Sequence, residues 1–309
     1  MKSSPYALSI DVEDYFQVAA FERQCPADSW HRHEVRVEHN VNRLLALLSE
    51  RDINATFFVL GWVAERYPEL IKLIASEGHE VASHGFGHQR INALERQQYH
   101  QDVSQSRKLL QDLSGAAVEG YRAPSFSLSQ HTPWAQDALR EAGYRYSSSI
   151  NPVNHDLYGY PDAPRTPFVW DNGLLEVPVT TCSIAGKRIP CAGGGYFRLF
   201  PYRLFRHLMQ KGATELNSPA IFYLHPWELD PGQPRIIGAS AKSRFRHYLN
   251  LAKTEARLQR LLHDFNWAPM NALPVIQNHL ADPKANPGIP RFAARQDTAH
   301  VQRQSDTVV

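Results

Sequence analysis

A parallel β/α fold is what this 309-residue sequence predicts, on three observations. Seven short β-rich runs alternate with helix-like segments, the rhythm of strands joined by crossover helices. Four residues with chemistry to offer, Asp11, His84, Arg122 and His225, each fall just after such a run. In β/α barrels that rim is where active sites sit. Periodicity alone does not separate a barrel from an open sheet.

Taken in order, Tyr6-Ala7-Leu8-Ser9-Ile10 is a buried strand ending in Asp11-Val12-Glu13-Asp14. Val41, Leu44, Leu45 and Leu48 share one helical face. Ala55 to Leu60 is a second strand closed by Gly61, and Tyr67 to Ser76 a helix with Pro68 in its first turn and Gly78 past its end. Glu80 to Ser83 is a third strand, and Glu95 to Leu113 a long helix followed by Gly115. Val118 to Arg122 is a fourth strand. Pro133 to Glu141 is a helix capped from Thr132, and Tyr144 to Ser148 a fifth strand. Leu174 to Val179 is a sixth, its Pro178 indicating an edge or a bulge. Gly193-Gly194-Gly195 marks a flexible or closely approached loop before a helix at Pro201 to Gln210. Ala220 to Leu224 is the seventh strand, and Ser243 to Phe265 a basic amphipathic helix. That helix is expected to pack Leu258, Leu261 and Leu262 on the fold, with contact to a membrane surface or an acidic polymer the alternative. Beyond about Pro283 the sequence loses periodicity and reads as a disordered tail.

Composition narrows the function classes. The 43% hydrophobic and 21% charged content is that of a globular protein, and a net charge of +2 gives no footprint for nucleic acid. Cys25, Cys182 and Cys191 form no paired framework, as expected of a reducing compartment. The start, Met1-Lys2-Ser3-Ser4-Pro5, has no apolar signal core, and no run reaches membrane-span length, so the expected location is cytoplasmic, near the inner face of the membrane.

The chemistry centres on Ser83-His84-Gly85-Phe86-Gly87-His88. Two imidazoles with three residues between them reach one side of a single turn, and imidazole suits a borderline metal. The flanking glycines let the chain turn close to an ion. Each group alone has a plainer reading: the first-strand acids as a solvated strand end or helix cap, Arg122 as a loop ion pair, His225-Pro226 as a turn. Four strand ends carrying complementary chemistry in order argue for a site.

Ser9-Ile10-Asp11-Val12-Glu13-Asp14, Ser83 to His88, Gly120-Tyr121-Arg122-Ala123-Pro124-Ser125-Phe126 and Phe222-Tyr223-Leu224-His225-Pro226 together resemble the motifs of polysaccharide deacetylases, the NodB-homology or carbohydrate esterase family 4 group. Asp-Val-Glu-Asp-Tyr-Phe, Leu-Leu-Glu-Val-Pro-Val-Thr and Gly-Gly-Gly-Tyr-Phe-Arg look like the branch associated with exopolysaccharide loci of the PEP-CTERM/exosortase type. The resemblance implies an α/β fold, a distorted (β/α)7 barrel with a C-terminal helical extension, holding one divalent metal, zinc first and cobalt, nickel or manganese behind it. It implies His84 and His88 as ligands, Asp11 as general base, Arg122 as its orienting partner and His225 as general acid. The usual first motif has two adjacent aspartates before a glycine; here strand alternation favours Glu13 as third ligand, with Asp14 left open. Tyr15, Phe16, Trp170, Tyr196, Phe197 and Trp227 are candidate sugar-stacking faces, and Pro124 a further substrate contact.

The expected organisation is a deacetylase barrel over 1–230, an extension with a long helix over 231–280 and a disordered tail over 281–309. The expected activity is hydrolysis of N-acetyl groups on an amino-sugar polysaccharide or its lipid-linked oligosaccharide precursor. A small-molecule amidohydrolase of the allantoinase-like type and a non-catalytic carbohydrate-binding barrel are the alternatives.

Overall fold

The computed structural model describes residues 6–155, 159–283 and 288–293. The first strand, β1 (Tyr6–Val12), is buried from Ala7 onward. It is followed by α1 (Val37–Ser49), β2 (Thr56–Val59), α2 (Gly61–Arg66), α3 (Pro68–Ser76), β3 (Glu80–Ser83), α4 (Arg96–Ser114), β4 (Gly120–Tyr121), α5 (Ala135–Glu141) and β5 (Tyr146–Ser147). Next come β6 (Phe168–Trp170), β7 (Leu175–Glu176), β8 (Thr181–Ile184), β9 (Lys187–Pro190), α6 (Gly194–Leu199), α7 (Tyr202–Leu216) and β10 (Ile221–Leu224). The C-terminal part holds α8 (Ala241–Tyr248), α9 (Leu251–Asp264), β11 (Trp267–Ala268), α10 (Pro274–Ala281) and β12 (Arg291–Phe292).

The main sheet runs β10-β1-β2-β3-β4-β5-β7-β6-β12, with β11 added beside β1. From β10 to β7 every pairing is parallel, which requires crossovers and accounts for the helices between these strands. The expected α/β architecture is therefore observed. Between β7 and β10 the ladder gives way to irregular chain. There Val179 N–H donates to Ile150 O, Ile221 N–H donates to Thr180 Oγ1 at 2.8 Å, and Gly193 makes a single parallel bridge to Tyr223. Pro178 sits in that irregular stretch, where a missing N–H costs no ladder bond.

Register sets the site. Val12, Val59 and Ser83 lie level across β1, β2 and β3, Ser83 pairs with Tyr121, and Tyr121 with Ser147. His84, Arg122 and Ser148 therefore leave their strands on one rim, and Ile10 opposite Leu224 brings Asp11 and His225 to the same level. Helices clamp this rim through apolar stripes. In α1, Val37, Val41, Leu44, Leu45 and Leu48 are buried, each burial stabilising by about 1.5–3 kcal/mol.

Three local expectations are corrected. The basic helix is two helices, broken where Asn250 takes the left-handed conformation (φ 54°), and the Arg198 guanidinium donates to the carbonyls of His247 and Leu249 at the break. Leu258, Leu261 and Leu262 are buried as expected. Thr132 does not cap α5, because its Oγ1 is engaged with Ser129 and the N-cap residue is Trp134. Most of the expected tail lies outside the described residues, but α10 runs to Ala281 and β12 returns to pair with β6. Phe292 packs on Phe168 and Trp170 there, burial that the polar composition around it conceals.

Candidate active site

Asp11 and Glu13 project from the end of β1 into one pocket of about 180 Å³, with His84, His88, Ser125, Phe126, Tyr223 and His225 around it. Strand alternation puts Glu13 on the Asp11 side. Asp14 turns the other way: its Oδ2 accepts from the backbone N–H groups of Arg36 (2.7 Å) and Val37 (2.9 Å), and its Oδ1 from Tyr15 N–H (2.8 Å). It serves the N–H groups at the start of α1, which have no partner within the helix, and lies outside the Glu13, His84 and His88 group, which removes it as a ligand candidate.

Glu13, His84 and His88 offer ligand atoms that all lie within 4.8 Å of one another. His84 Nδ1 lies 2.8 Å from Arg122 O; a carbonyl only accepts, so Nδ1 carries the proton and Nε2 keeps its lone pair toward the pocket. Burial pushes the His84 imidazole down to about 4, leaving it neutral at pH 7, the form that binds a metal. His88 Nε2 lies 2.6 Å from Glu13 Oε2, a buried oxygen that has no well-oriented hydrogen-bond donor among the described residues. Burial would raise Glu13, but His88 and His225 outweigh it and hold the carboxyl well below its usual range. An ionised carboxylate and two imidazoles converging at this spacing fit one divalent ion, and the nitrogen-rich donor set suits zinc.

The loop carrying the histidines is held from behind. Asp102, on α4, accepts from Phe86 N–H (2.8 Å) and Gly87 N–H (3.1 Å). Gly85 has φ 77°, and His88 itself is left-handed at φ 53°, so the turn is fixed by these bonds against local strain.

Arg122 is completely buried, a position that costs several kcal/mol unless its donors are matched. Its Nη1 donates to Asp11 Oδ1 at 2.7 Å and Ser9 Oγ at 2.8 Å, its Nε to Ser148 O at 3.1 Å, and its plane lies 4.1 Å over the Phe58 ring. One carboxylate oxygen of Asp11 is thereby fixed. The other, Oδ2, faces His225 Nε2 at 3.9 Å.

His225 is held by residues that the sequence reading missed. Its Nδ1 lies 2.9 Å from Glu228 Oε1, and Glu228 Oε2 accepts from Arg198 Nε at 2.6 Å. Burial would lower the imidazole, yet the charges of Glu13, Glu228 and Asp11 raise it to about 9, so it is protonated at neutral pH. Burial likewise opposes ionisation of Glu228, but Arg198 and His225 bring it down to about 2. The spacing of Glu228 three residues after His225 was the available signal; nothing local marks Arg198.

The aromatic assignments divide. Trp227 stacks on His225 (5.2 Å, 17°) and its Nε1 donates to Glu13 Oε1 at 3.2 Å, so it steadies the site from below. Tyr196 lines a groove beside the pocket. Tyr15 is buried edge-on against Phe16, and Trp170 is buried between Phe168 and Phe292, so neither faces substrate space. Pro124 is also buried; the two residues after it, Ser125 (φ 53°) and Phe126 (φ 50°), line the pocket instead.

Comparison with known proteins finds likenesses for two stretches of the chain. The family model described as polysaccharide deacetylase matches residues 28–147, and a domain of unknown function (DUF3473) matches 148–274. The peptidoglycan deacetylase of Helicobacter pylori is 34% identical over 123 residues, 40% of each chain. The peptidoglycan-N-acetylglucosamine deacetylase of Bacillus cereus is 30% identical over 96 residues, 31% of this chain and 35% of the relative. The chitooligosaccharide deacetylase of a Bradyrhizobium strain is 29% identical over 96 residues, 31% and 42% of the two chains. The matches thus span less than half the length of these curated relatives. A solved Mycobacterium smegmatis protein, provisionally assigned as a polysaccharide deacetylase, superposes with a TM-score of 0.60 at 20% identity over 96% of both chains, which establishes the likeness of fold. Among the described residues no helix is long and apolar enough to cross a membrane. Residues 28–147 thus carry the stretch that matches the polysaccharide deacetylase model.

Proposed function

We propose that this protein hydrolyses N-acetyl groups on an amino-sugar polysaccharide, using a water activated beside Asp11 and a proton supplied by His225. The observation that carries the reading is the approach of Asp11 and His225, 3.9 Å apart, in the pocket that also holds the Glu13, His84 and His88 cluster. A divalent ion held by those three residues, zinc by donor type, would polarise the acetyl carbonyl and acidify the bound water.

Asp11 Oδ2 then takes the water proton as oxygen attacks the carbonyl carbon. Arg122 leaves Oδ2 the acceptor by occupying Oδ1. His225, protonated and anchored at Nδ1 by Glu228, presents Nε2–H to the amide nitrogen. Cleavage of the C–N bond gives acetate and the sugar amine, with His225 supplying the proton the departing nitrogen needs. The resemblance of the first motif and the glycine-rich segment extends this reading to an exopolysaccharide or its lipid-linked precursor.

Acetate release from chitohexaose, with and without a chelator, tests it. Activity lost on chelation and restored by Zn²⁺ supports the assignment. Full activity in metal-free protein, or no acetate from any N-acetylated saccharide, overturns it.

A further inference from the structure

A buried arginine needs an acceptor for each of its five N–H groups, and Arg122 is completely buried. Four are met by oxygen: Nη1 donates to Asp11 Oδ1 at 2.7 Å and Ser9 Oγ at 2.8 Å, Nε to Ser148 O at 3.1 Å, and Nη2 to Ser148 Oγ at 3.0 Å. The fifth goes to sulfur. Met270 Sδ lies 3.8 Å from Nη2.

This thioether arrives from the far end of the sheet. Thr56 and Glu80 are the first residues of β2 and β3, whereas the site forms where those strands end. Met270 N–H donates to Thr56 Oγ1 at 2.7 Å, and Asn271 N–H to Glu80 Oε2 at 3.0 Å. Glu80 Oε1 accepts from the Tyr146 hydroxyl at 2.6 Å. These bonds pin the turn Met270–Ala272 across the strand starts, and Met270, Leu273 and Ile276 pack beside Ala7, Phe58 and Ile221. Thr56 lies level with Ser9, the residue that Arg122 Nη1 bonds, which brings a long unbranched side chain at 270 within reach of the guanidinium.

Electrostatics suits a thioether to this place. It accepts a hydrogen bond weakly and carries no charge, so it steadies the guanidinium without drawing it from Asp11. A carboxylate at 270 would compete for the cation, and an aliphatic chain would leave one buried N–H unmet.

We propose that Met270 is a positioning residue for the reaction: it sets the rotation of the Arg122 guanidinium, and through it the carboxylate of Asp11, from the side opposite the substrate. The assignment rests on the deacetylase reading above. It gives the C-terminal turn a part in turnover, and the domain match that runs to residue 274 includes that turn.

The chain has three methionines, Met1, Met209 and Met270. In a Met209→Leu background, norleucine incorporated in place of methionine exchanges the sulfur of residue 270 for a methylene and keeps its length and unbranched shape. Acetate release from chitohexaose should then show kcat lowered about three- to tenfold against the methionine form of the same background, with KM and zinc content unchanged. Met270→Leu alone should reproduce the loss. Ile276→Ala, a truncation in the same buried cluster, should lower Tm more than norleucine does and yet keep the wild-type kcat. Unchanged kcat in the norleucine form and in Met270→Leu overturns the assignment while leaving deacetylation intact. An equal fall of kcat in Ile276→Ala also overturns it, since the effect would then be one of packing alone. A wild-type protein that releases no acetate from chitohexaose defeats the deacetylase reading itself, and the positioning of its base with it.

Discussion

Gly194→Ala should disable the protein through one added methyl group. A Cβ at residue 194 would overlap both carboxylate oxygens of Glu228 and lie 2.5 Å from its Cδ. Glu228 has no room to yield, since Oε2 is held at 2.6 Å by Arg198 Nε, and Oε1 at 2.9 Å by His225 Nδ1 and 3.0 Å by His225 N–H. Overpacking of this kind costs about 1–3 kcal/mol, and parting a buried ion pair about 3–5 kcal/mol. Partial relaxation places the net loss at about 2–4 kcal/mol, a fall in Tm of about 3–6 °C for a chain of this size. Acetate release should drop about 100-fold, because the proton donor loses its anchor. Gly195 is the internal control: a Cβ there meets nothing within 4 Å, so Gly195→Ala should raise stability by about 0.5–1 kcal/mol through helix propensity. Thermal melts and acetate assays of the two variants decide the matter. Equal behaviour of Gly194→Ala and Gly195→Ala would refute the claim that Glu228 is wedged behind the acid.

Asp11→Asn and His225→Ala should each reduce acetate release about 10²- to 10⁴-fold while zinc content stays near one per chain; His84→Ala should lose metal and activity together, as read by elemental analysis. Retention of full turnover by Asp11→Asn would move the base elsewhere, with Glu13 next. Asp14→Ala removes the acceptor for Arg36 and Val37 N–H groups and should destabilise by about 2–4 kcal/mol in urea denaturation, with no change in metal content. Stability should also fall with acid. Burial lowers His79 to about 4, and burial together with Arg198 lowers His247 to about 3, against about 6.5 in the unfolded chain. The unfolded state binds more protons once the pH drops below about 6.5, so the folded state weakens progressively from there toward pH 4. A urea midpoint unchanged between pH 7.5 and pH 5 would contradict this.

Strand ends were legible because the parallel sheet converts sequence position into spatial level. Asp11, His84, Arg122 and His225 each follow a β-rich run, and register alone brings them to one rim. The choice between Glu13 and Asp14 was half legible: alternation favoured Glu13, but the competing pull on Asp14 came from N–H groups at residues 36 and 37, which no local pattern reveals. Aromatic residues were the poorest guide. Trp170 and Tyr15 are as compatible with stacking a sugar as with filling a core, and only the packing of Phe292 and Phe16 against them settles the matter. Arg198 was invisible for the same reason, since its partners Glu228, His247 and Leu249 lie 30 to 51 residues away.

The distribution of these parts along the chain has a mechanistic consequence. Both histidines proposed as ligands and Arg122 lie within residues 28–147, the segment that matches the polysaccharide deacetylase model. Asp11 and Glu13 precede that segment, and His225, Glu228, Arg198 and Trp227 all follow it. They are brought back because β1 pairs with β2 on one side and β10 on the other. The proposed base and acid thus sit at adjacent strands separated by more than two hundred residues of chain, and the ion pair that anchors His225 also ties α6 to the end of α8. The proposed proton transfer to the leaving amine would therefore depend on the C-terminal region being docked, whereas the histidine pair would not. Loosening that docking should cost turnover before it costs metal.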